Sequence, residues 1–373
     1  LKRKDRSEND PLIIAGGPCA TANPMPLSDY IDVFVIGEGE VTINKFLDIY
    51  LENKNLDNFL DMDGIYIPKF NNNAKIALID DMKNAYHITQ PIITKTDKED
   101  YKTVFSDSIM LNVSRGCTRG CRFCMSSYLY RPLRETTIKE LVNIALKTRE
   151  NTNLNKITLI GAAVGDYYDL EGLTKALESE GFQIATPSLR IDSLSRETLE
   201  TLKKSGLKSI TIAPESISTL RERINKSISD EKIFSVIKNA VDLDFNIKLY
   251  FLIGIPYESK EDIEELANYI EKIANMHKNR NYIKFSINPV IPKPQTPLQW
   301  EVYNFKEIKS KTRYLKKKLR KYNVKFESPK KGLIQYILSC GNREVGAVIE
   351  KSLTEEVTLK EWQSYLPNYN IND

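Results

Sequence analysis

Short apolar runs alternate with amphipathic stretches along the chain from about residue 109 onward. The runs are five to eight residues long and rich in Ile, Leu and Val, and most lead into a turn or a polar segment. This pattern is typical of the strands of a parallel sheet. The predicted strands are 109–114, 157–161, 183–188, 209–214, 247–254 and 284–290.

Helices are predicted between most of these strands. Thr137 stands three residues before Glu140 at the start of the stretch 136–150, which is the signature of a capping box. Residues 259–275 begin with acids and carry their apolar residues on one stripe. Six such strand–helix units predict an α/β fold with a parallel sheet and outer helices. Since six strands are too few for a closed eight-stranded barrel, we expect a partly open barrel over 109–300, with its chemistry at the carboxyl ends of the strands.

The N-terminal region, residues 1–60, predicts a second and smaller α/β unit. Residues 11–18 and 33–40 read as buried parallel strands that end in glycine-rich turns, and residues 41–60 as a helix. Two such strands cannot form a doubly wound sheet by themselves. We therefore expect the C-terminal part of a larger Rossmann-like domain, which either continues upstream of Leu1 or has its exposed edge covered by a partner.

Two further regions carry weaker patterns. Residues 61–108 contain turn signals such as DMDG and FNNNAK and read as an irregular connector with a few strands. Residues 301–373 read as a helical extension that begins with a very basic helix, 304–322. The ordinary interpretation of such a lysine-rich helix is a solvated face, so it does not by itself indicate a nucleic-acid partner.

Charge and composition exclude few functions. Lys and Arg number 54 against 50 Asp and Glu, and the small net charge of +4 argues neither for nor against a nucleic-acid or membrane partner. No apolar run approaches the roughly 18 residues needed to cross a bilayer, and the polar start leads us to expect no signal peptide. The five cysteines, odd in number and clustered, favour a reducing cytoplasm. The two histidines exclude a site built on several imidazoles.

Three of the five cysteines, Cys117, Cys121 and Cys124, lie within eight positions on the loop after the first barrel strand. Thiolates ligate zinc, copper(I) and iron–sulfur clusters. Structural zinc takes four ligands, and no fourth is evident nearby. A 4Fe–4S cluster held by three cysteines leaves one iron open for chemistry, and Gly116 and Gly120 let the backbone approach such a cube. A structural zinc site or a surface thiol cluster is the alternative.

This loop, SRGCTRGCRFCM (114–125), resembles the CxxxCxΦC signature of the radical SAM superfamily, in which an aromatic residue, here Phe123, precedes the last cysteine. Segments such as 157–167, 211–226 and 249–266 are similar to consecutive parts of the subgroup with an N-terminal cobalamin-binding-type domain. The resemblance implies that the cysteines ligate a 4Fe–4S cluster whose free iron binds S-adenosylmethionine (SAM). It further implies that an electron from the cluster cleaves SAM to a 5′-deoxyadenosyl radical, with an external one-electron reductant of flavodoxin or ferredoxin type.

The same resemblance implies which side chains surround SAM. Small residues after the second strand contact its amino group, and a hydroxyl and a guanidinium after the third suit its ribose and carboxylate. An acid that closes the fourth strand suits the ribose diol, arginines beyond it reach the carboxylate, and a glycine after the fifth strand shapes a turn beside the adenine. Together with the aromatic residue of the loop, these are Phe123, Gly161, Asp166, Ser188, Arg190, Glu215, Arg221, Arg223 and Gly254.

The glycine-rich turns after the two N-terminal strands are where the resemblance implies cobalamin, because such turns cradle ligands at the carboxyl edge of a sheet. The glycines are Gly16, Gly17, Gly37 and Gly39. No D-x-H-x-x-G sequence is present, so cobalamin would bind without a histidine ligand to cobalt. The reaction expected with cobalamin is methylation of an unactivated carbon. The alternatives are a cobalamin-independent radical SAM enzyme, which rearranges its substrate or inserts sulfur, and a zinc-bound interaction module without enzymatic activity.

Overall fold

The computed structural model describes residues 2–7, 9–93, 98, 101, 105, 107–185, 190–204, 206–279 and 281–367. The strands are β1 (Ile14–Ala15), β2 (Val33–Val35), β3 (Ile65–Tyr66), β4 (Ile109–Asn112), β5 (Ser114–Arg115), β6 (Arg134–Glu135), β7 (Lys156–Ile160), β8 (Gln183–Ala185), β9 (Ser209–Glu215), β10 (Asn246–Ile253), β11 (Ile283–Pro289) and β12 (Val324–Phe326). The helices are α1 (Pro18–Ala22), α2 (Gly39–Glu52), α3 (Ser126–Leu129), α4 (Ile138–Thr152), α5 (Leu170–Ser179), α6 (Arg196–Lys204), α7 (Ser218–Arg223), α8 (Asp230–Asp242), α9 (Lys260–Ala274), α10 (Phe305–Lys318), α11 (Pro329–Cys340), α12 (Val345–Lys351) and α13 (Leu359–Gln363). Within the described ranges, no helix has both the length and the apolar composition that a membrane span requires.

The barrel strands form two parallel sheets. One sheet has the order β4–β7–β8, and the other has the order β12–β11–β10–β9. All six predicted strands form, the third over Gln183–Ala185 because residues 186–188 lie outside the described ranges. Successive strands within each sheet are neighbours, so the α/β fold with a partial barrel is confirmed. The short β12 adds a seventh parallel strand that the pattern did not predict, because three residues are too few for a periodic signal. The rest of the chain beyond residue 301 is helical, as expected, in its described elements.

Helices cover the outer face of these sheets. The side chain of Thr137 accepts a hydrogen bond from the backbone N–H of Glu140 and so caps α4 at the predicted position. The helix α9 begins with a full capping box, formed by Ser259 and Asp262, and buries the predicted apolar stripe. Along β10, every second side chain is buried in one cluster with residues of α8 and α9, so one face of this central strand packs on the helices.

The N-terminal region forms a three-stranded sheet with the order β1–β2–β3. The pair β1–β2 is parallel, as predicted, and β3 runs antiparallel to β2. The helix α2 packs on this sheet through the fully buried Phe46, which contacts the ring of Phe59 at a centroid distance of 4.4 Å. The carboxyl ends of β1 and β2, with their glycine turns, therefore lie at the same edge of the sheet.

Ion pairs join this N-terminal sheet to the loop that carries the three cysteines. The buried carboxylate of Glu38, directly after the second glycine turn, lies 2.8 Å from Nη1 of Arg134 and 3.3 Å from Nη1 of Arg115. Arg115 also contacts Glu40 at 2.7 Å. Because charges are rarely buried unless they are paired, this network fixes the N-terminal glycine turn against the strand that leads into the cysteine loop.

Candidate functional site

The cysteine loop follows β4 and β5, and two glycines give it its shape. Gly116 and Gly120 have φ angles of 83° and 67°, the left-handed region that other residues rarely adopt. A Cβ atom at Gly116 would lie 2.4 Å from the carbonyl oxygen of Tyr130, so only glycine fits there. The two turns fold the three cysteines back over the carboxyl ends of the barrel strands.

Hydrogen bonds to the main chain hold the loop in place. The hydroxyl of Tyr128 donates to the carbonyl oxygen of Gly120 at 2.9 Å. The side-chain amide of Asn225 donates to the same oxygen at 2.9 Å and to the carbonyl of Arg119 at 3.1 Å. In addition, the N–H of Arg122 donates to the carbonyl oxygen of Ile224 at 3.0 Å. The segment that follows α7 therefore holds the cysteine loop in place through these hydrogen bonds.

The three thiols face one cavity of about 200 Å³, which we call the thiol cavity. Cys117 and Cys121 are buried, Cys124 is partly buried, and none of the three forms a disulfide. No group of three Cys, His, Asp or Glu side chains among the described residues converges on a single ion. A cubane cluster does not ask for such convergence, because each cysteine ligates a different iron. The other lining residues are Arg119, Phe123, Ser127, Ala162, Ala163, Arg190, Ile191, Ala213, Glu215, Lys226 and Ile228.

Glu215 reaches this cavity because the end of β9 is irregular. Pro214 lies in the strand, the pairing with β10 shifts register there, and Glu215 itself has a φ angle of 68°. A bulge of this kind re-aims the side chain that follows it. The carboxylate is buried and pairs with Nζ of Lys226 at 2.6 Å. Burial raises the pKa of Glu215, whereas the cations Lys226 and Arg190 act in the opposite direction.

Two arginines and two aspartates form a network at the rim of the thiol cavity. Arg119 binds Asp166 through two hydrogen bonds of 2.8 and 2.6 Å and contacts Asp192 at 3.1 Å. Arg190 binds Asp192 in the same two-pronged way, at 3.0 and 2.9 Å. Burial alone would raise the pKa of Asp192, but the two guanidinium groups hold it below its usual value. The network therefore keeps the Asp192 carboxylate ionised and orients two guanidinium groups next to the thiols.

Comparison with known proteins identifies this arrangement. The profile of the radical SAM superfamily matches residues 111–270, from within β4 through the cysteine loop and β10 to most of α9. The profile of the N-terminal region of radical SAM proteins matches residues 1–68. An uncharacterised protein of Methanocaldococcus jannaschii is 34% identical over 362 residues, which cover 94% of this chain and 76% of that protein. The chain belongs to the radical SAM superfamily.

Two further comparisons show how this radical SAM chain relates to methyltransferases. An uncharacterised methyltransferase of Pyrococcus horikoshii is 25% identical over 301 residues, which cover 78% of this chain and 62% of that protein. The radical SAM methyltransferase TsrM from Kitasatospora setae, solved with cobalamin and a 4Fe–4S cluster bound, has a TM-score of 0.60 at 12% identity. That match covers 78% of this chain and 59% of TsrM, and at this identity it shows a shared fold. The chain thus spans less than two thirds of either protein.

A 4Fe–4S cluster and SAM are the cofactors of the radical SAM superfamily, and the thiol cavity suits both. Three free thiols supply the sulfur ligands that iron–sulfur clusters require. Thiols must lose their protons to bind iron, and burial raises the pKa of Cys121, which opposes that loss. Lys226 and Arg190 lower the pKa of the same thiol and so favour the thiolate. The donor set and the surrounding positive charge therefore fit the cluster.

The structure brings together several of the residues that the sequence associated with SAM. Phe123, Arg190 and Glu215 line the thiol cavity, and Asp166 lies at its rim on Arg119. Gly161 lies one residue from the cavity lining, where an added Cβ would be 2.8 Å from Oγ of Ser114. Ser188 lies outside the described residues.

Arg221 does not contact the thiol cavity, contrary to the expectation. Its side chain is fully buried, with 1% exposure, and donates to the carbonyl oxygens of Ser216 and Ile228 and to the carboxylate of Asp230. The helix α7 is only six residues long and turns this arginine away from the barrel mouth. Arg221 therefore holds its own loop together, and it does not line the thiol cavity.

Arg223 and Gly254 also lie apart from the thiol cavity lining. Arg223 is exposed and donates to the carbonyl oxygen of Tyr257 at 2.7 Å. Gly254, with a φ angle of 80°, lines a separate cavity of about 670 Å³, where an added Cβ would lie 2.7 Å from Cδ1 of Ile308. Its positive φ and its packing against α10 explain why this position is glycine without any ligand.

Two of the four N-terminal glycines, Gly16 and Gly37, border cavities next to the cysteine loop. Gly37 and Gly161 line one of about 440 Å³, which we call the glycine cavity. Gly16 lines the other, of about 480 Å³. Gly17 and Gly39 stand at the beginnings of α1 and α2. An added Cβ at Gly37 would lie 2.1 Å from the carbonyl oxygen of Ala77, so this glycine permits a close backbone contact as well as bordering a cavity.

Two residues of the site were not predicted from the sequence. Lys226 follows Glu215 by eleven positions, and neither helix nor strand geometry brings side chains at that separation into contact. It reaches the cavity because Asn225, with a φ angle of 54°, turns the chain back after α7. Asp192 was within reach of prediction, since it follows Arg190 by two positions in the turn after β8, and short acid–base pairs of that kind often bind each other.

Proposed function

We propose that this radical SAM enzyme is a cobalamin-dependent methyltransferase that acts on an unactivated carbon. The observation that carries the proposal is that three free thiols, two of them buried, line one cavity with Glu215, Lys226 and Arg190 at the carboxyl ends of the barrel strands. The similarity in fold to a methyltransferase that was solved with cobalamin supports the choice of second cofactor.

Cys117, Cys121 and Cys124 would hold the cluster in the thiol cavity. When bound, the cluster supplies the electron that cleaves the sulfonium of SAM to a 5′-deoxyadenosyl radical, and cobalamin supplies the methyl group. The protein supplies positive charge: Lys226 and Arg190 lie close enough to Cys121 to favour its thiolate. The buried surroundings exclude water, which strengthens every electrostatic contact in the cavity.

Charged side chains of the thiol cavity suit the polar groups of SAM. The Glu215 carboxylate has one oxygen on Lys226, so its second oxygen is available to accept hydrogen bonds from a ribose diol. Arg190 is already oriented by Asp192 and offers further N–H groups to a carboxylate. Asp166, held by Arg119, is an acceptor for an ammonium group. These roles pair the carboxylate and the ammonium of SAM with groups of opposite sign.

Cobalamin would lie in the crevice between the N-terminal sheet and the barrel. Ligands of open α/β sheets bind beyond the carboxyl ends of the strands, and the turn at Gly37 lies at that edge and lines the glycine cavity. The glycine cavity also touches Gly161 and the start of the cysteine loop, so a cofactor there would be adjacent to SAM. Neither histidine of the chain, His87 or His277, lines the glycine cavity, which agrees with a cobalt that has no histidine ligand.

The first experiment tests the cluster. The chain is reconstituted anaerobically with iron and sulfide, and formation of 5′-deoxyadenosine from SAM is followed with dithionite and then with a flavodoxin- or ferredoxin-type reductant. We expect C121A to lose both the brown cluster absorbance and nucleoside formation. The matched control is C19A, because Cys19 is also a free thiol but lies outside the thiol cavity. Nucleoside formation retained in C121A, or one equivalent of zinc without iron, would contradict the assignment.

The second experiment tests cobalamin. Hydroxocobalamin is incubated with the reconstituted chain, and its co-elution in gel filtration is measured. Transfer of label from methyl-labelled SAM in cell extract is then followed to identify the methylated product. We expect co-elution, with loss of binding in G37A, because a side chain there would displace the turn at the crevice. If SAM is cleaved while cobalamin does not co-elute, the cobalamin-independent enzyme replaces the methyltransferase.

A further inference from the structure

The cavity that Gly16 borders has a composition unlike the thiol cavity. We call it the lysine cavity, because Lys293 is the cation among the residues that line it. Its volume is about 480 Å³, and its walls come from the first glycine turn and α1, from α11, and from the loop after β11. Most of the lining is hydrocarbon, including Ala20, Phe34, Leu338 and Ile349. Met125, the residue after Cys124, lines it as well, so the cavity adjoins the cysteine loop.

Lys293 has an incomplete set of partners. Its Nζ donates to the hydroxyl of Ser339 at 3.1 Å, and it pairs with no carboxylate among the described residues. An ammonium group has three protons to donate, and a cation is costly to hold next to hydrocarbon without an opposite charge. Burial accordingly lowers the pKa of Lys293, while the thiols of Cys340 and Cys19 act in the opposite direction.

Two prolines and two hydrogen bonds fix the backbone that carries this lysine. Pro292 and Pro294 flank it and restrict the backbone on both sides. The carbonyl oxygen of Lys293 accepts a hydrogen bond of 2.7 Å from the hydroxyl of Thr296, and the carbonyl of Pro292 accepts one of 3.3 Å from the thiol of Cys340. The backbone thus places the partly buried Lys293 at the wall of an apolar cavity, where an anionic group of a ligand would complete its set of partners.

We propose that the lysine cavity binds the substrate, a compound with a carboxylate or phosphate group on an apolar body, and that Lys293 pairs with the anionic group. The apolar walls would bury the body of the compound, which supplies affinity, and the ammonium would select the anion. Binding next to Met125 brings such a compound to the side of the cysteine loop that faces the N-terminal sheet. That the bound compound is the substrate rests on the function proposed above, whereas the existence of an anion site does not.

Two fluorescent probes with the same ring system test the site directly. 8-Anilinonaphthalene-1-sulfonate carries an anionic group, and N-phenyl-1-naphthylamine lacks it. We expect the full-length chain to bind the anionic probe more tightly. K293M, which keeps the stem but removes the charge, should weaken binding of the anionic probe by about tenfold or more and leave the neutral probe unaffected. An unchanged ratio of the two affinities in K293M would overturn the proposal.

Further variants separate a binding role from a structural one. L338W, which fills the cavity, should weaken binding of both probes, and undiminished binding there would overturn the location. K232M is the matched control, because Lys232 donates to the carbonyl of Leu194 far from this cavity, and its probe ratio should equal that of wild type. Without ligand, K293M should melt at a higher temperature than wild type, because an unpaired cation has been removed. A lower melting temperature would indicate a structural lysine instead.

A final displacement experiment distinguishes a substrate from cobalamin, whose nucleotide tail also contains a phosphate. Alkyl carboxylates and alkyl phosphates should displace the anionic probe, whereas the corresponding alcohols should not. Saturation with hydroxocobalamin should leave the probe bound. Displacement by hydroxocobalamin but not by cobinamide, which lacks the nucleotide, would overturn the substrate assignment. Because these are binding measurements, they can succeed when SAM cleavage fails, and the two proposals therefore fail separately.

Discussion

Replacing Lys226 by methionine leaves the Glu215 carboxylate buried without its partner. In the wild type, the two charged atoms are 2.6 Å apart and the side chains are 10% and 9% exposed. At an effective dielectric constant of about 20, their attraction amounts to roughly 6 kcal/mol, part of which repays the desolvation of the lysine. Because removal of one partner leaves an uncompensated charge, we expect K226M to lower the free energy of unfolding by about 3–5 kcal/mol.

The loss in K226M should depend on pH with a definite sign. Burial already raises the pKa of Glu215, and removal of Lys226 takes away a group that lowers it, so the pKa in the folded variant rises further. A carboxyl group whose pKa is higher in the folded chain carries no penalty below its unfolded pKa of about 4.3, and the penalty grows as the pH rises toward the folded pKa. The loss should therefore be largest near pH 7.5 and should shrink toward about pH 5.

Urea unfolding of the cofactor-free chain, followed by circular dichroism, measures these changes. The double variant E215Q/K226M should recover most of the loss and should lack its pH dependence, since no charge remains to be paired. K175M is the matched control, because Lys175 pairs with Glu171 on the surface and should contribute less than about 1 kcal/mol. A loss below about 1 kcal/mol in K226M, or an equal loss in the E215Q background, would refute the reasoning.

Two further pairs of measurements and one labelling reaction test the glycine turn, the buried arginine of α7 and the cysteine loop. G37A should melt well below wild type, because its Cβ would meet a carbonyl oxygen at 2.1 Å, whereas G181A, also at positive φ but with open space, should cost only about 1–2 kcal/mol. R221M should lower stability by about 3 kcal/mol or more and leave 5′-deoxyadenosine formation per folded molecule unchanged; lost activity at unchanged stability would restore a cofactor role. Iodoacetamide should label Cys124 before Cys121 in the cluster-free chain, because burial raises the pKa of Cys121, and equal rates in peptide mass spectrometry would contradict this.

The barrel was predictable from sequence because its elements are long enough to carry a period. The buried positions of β10 alternate over eight residues, and α9 buries one stripe over 15. The proximity of the three thiols was predictable for a different reason, because three cysteines on one short loop must be close in space whatever the rest of the chain does. The strand β12 was not predictable, because its three residues acquire their partner only when the loop after α10 meets β11.

The directions of single side chains were the part that sequence could not supply. Arg221 lies six positions beyond Glu215, and that distance along the chain does not say which way α7 will turn it. Lys226 comes back to the cavity only through the left-handed turn at Asn225. Such turns depend on contacts with distant segments, here the cysteine loop that accepts hydrogen bonds from Asn225. The local sequence pattern does not indicate these distant contacts.

The cysteine loop is anchored through its main-chain carbonyl groups, and every amino acid has such a group whatever its side chain. A spacer whose side chain the site does not use can therefore be replaced without loss of the anchor, whereas the two side chains that reach those carbonyls, Tyr128 and Asn225, cannot. Thr118 is an exposed spacer of this kind. It is a place where a protein engineer could attach a dye or an electrode tether within a few residues of the thiols without redesigning the loop.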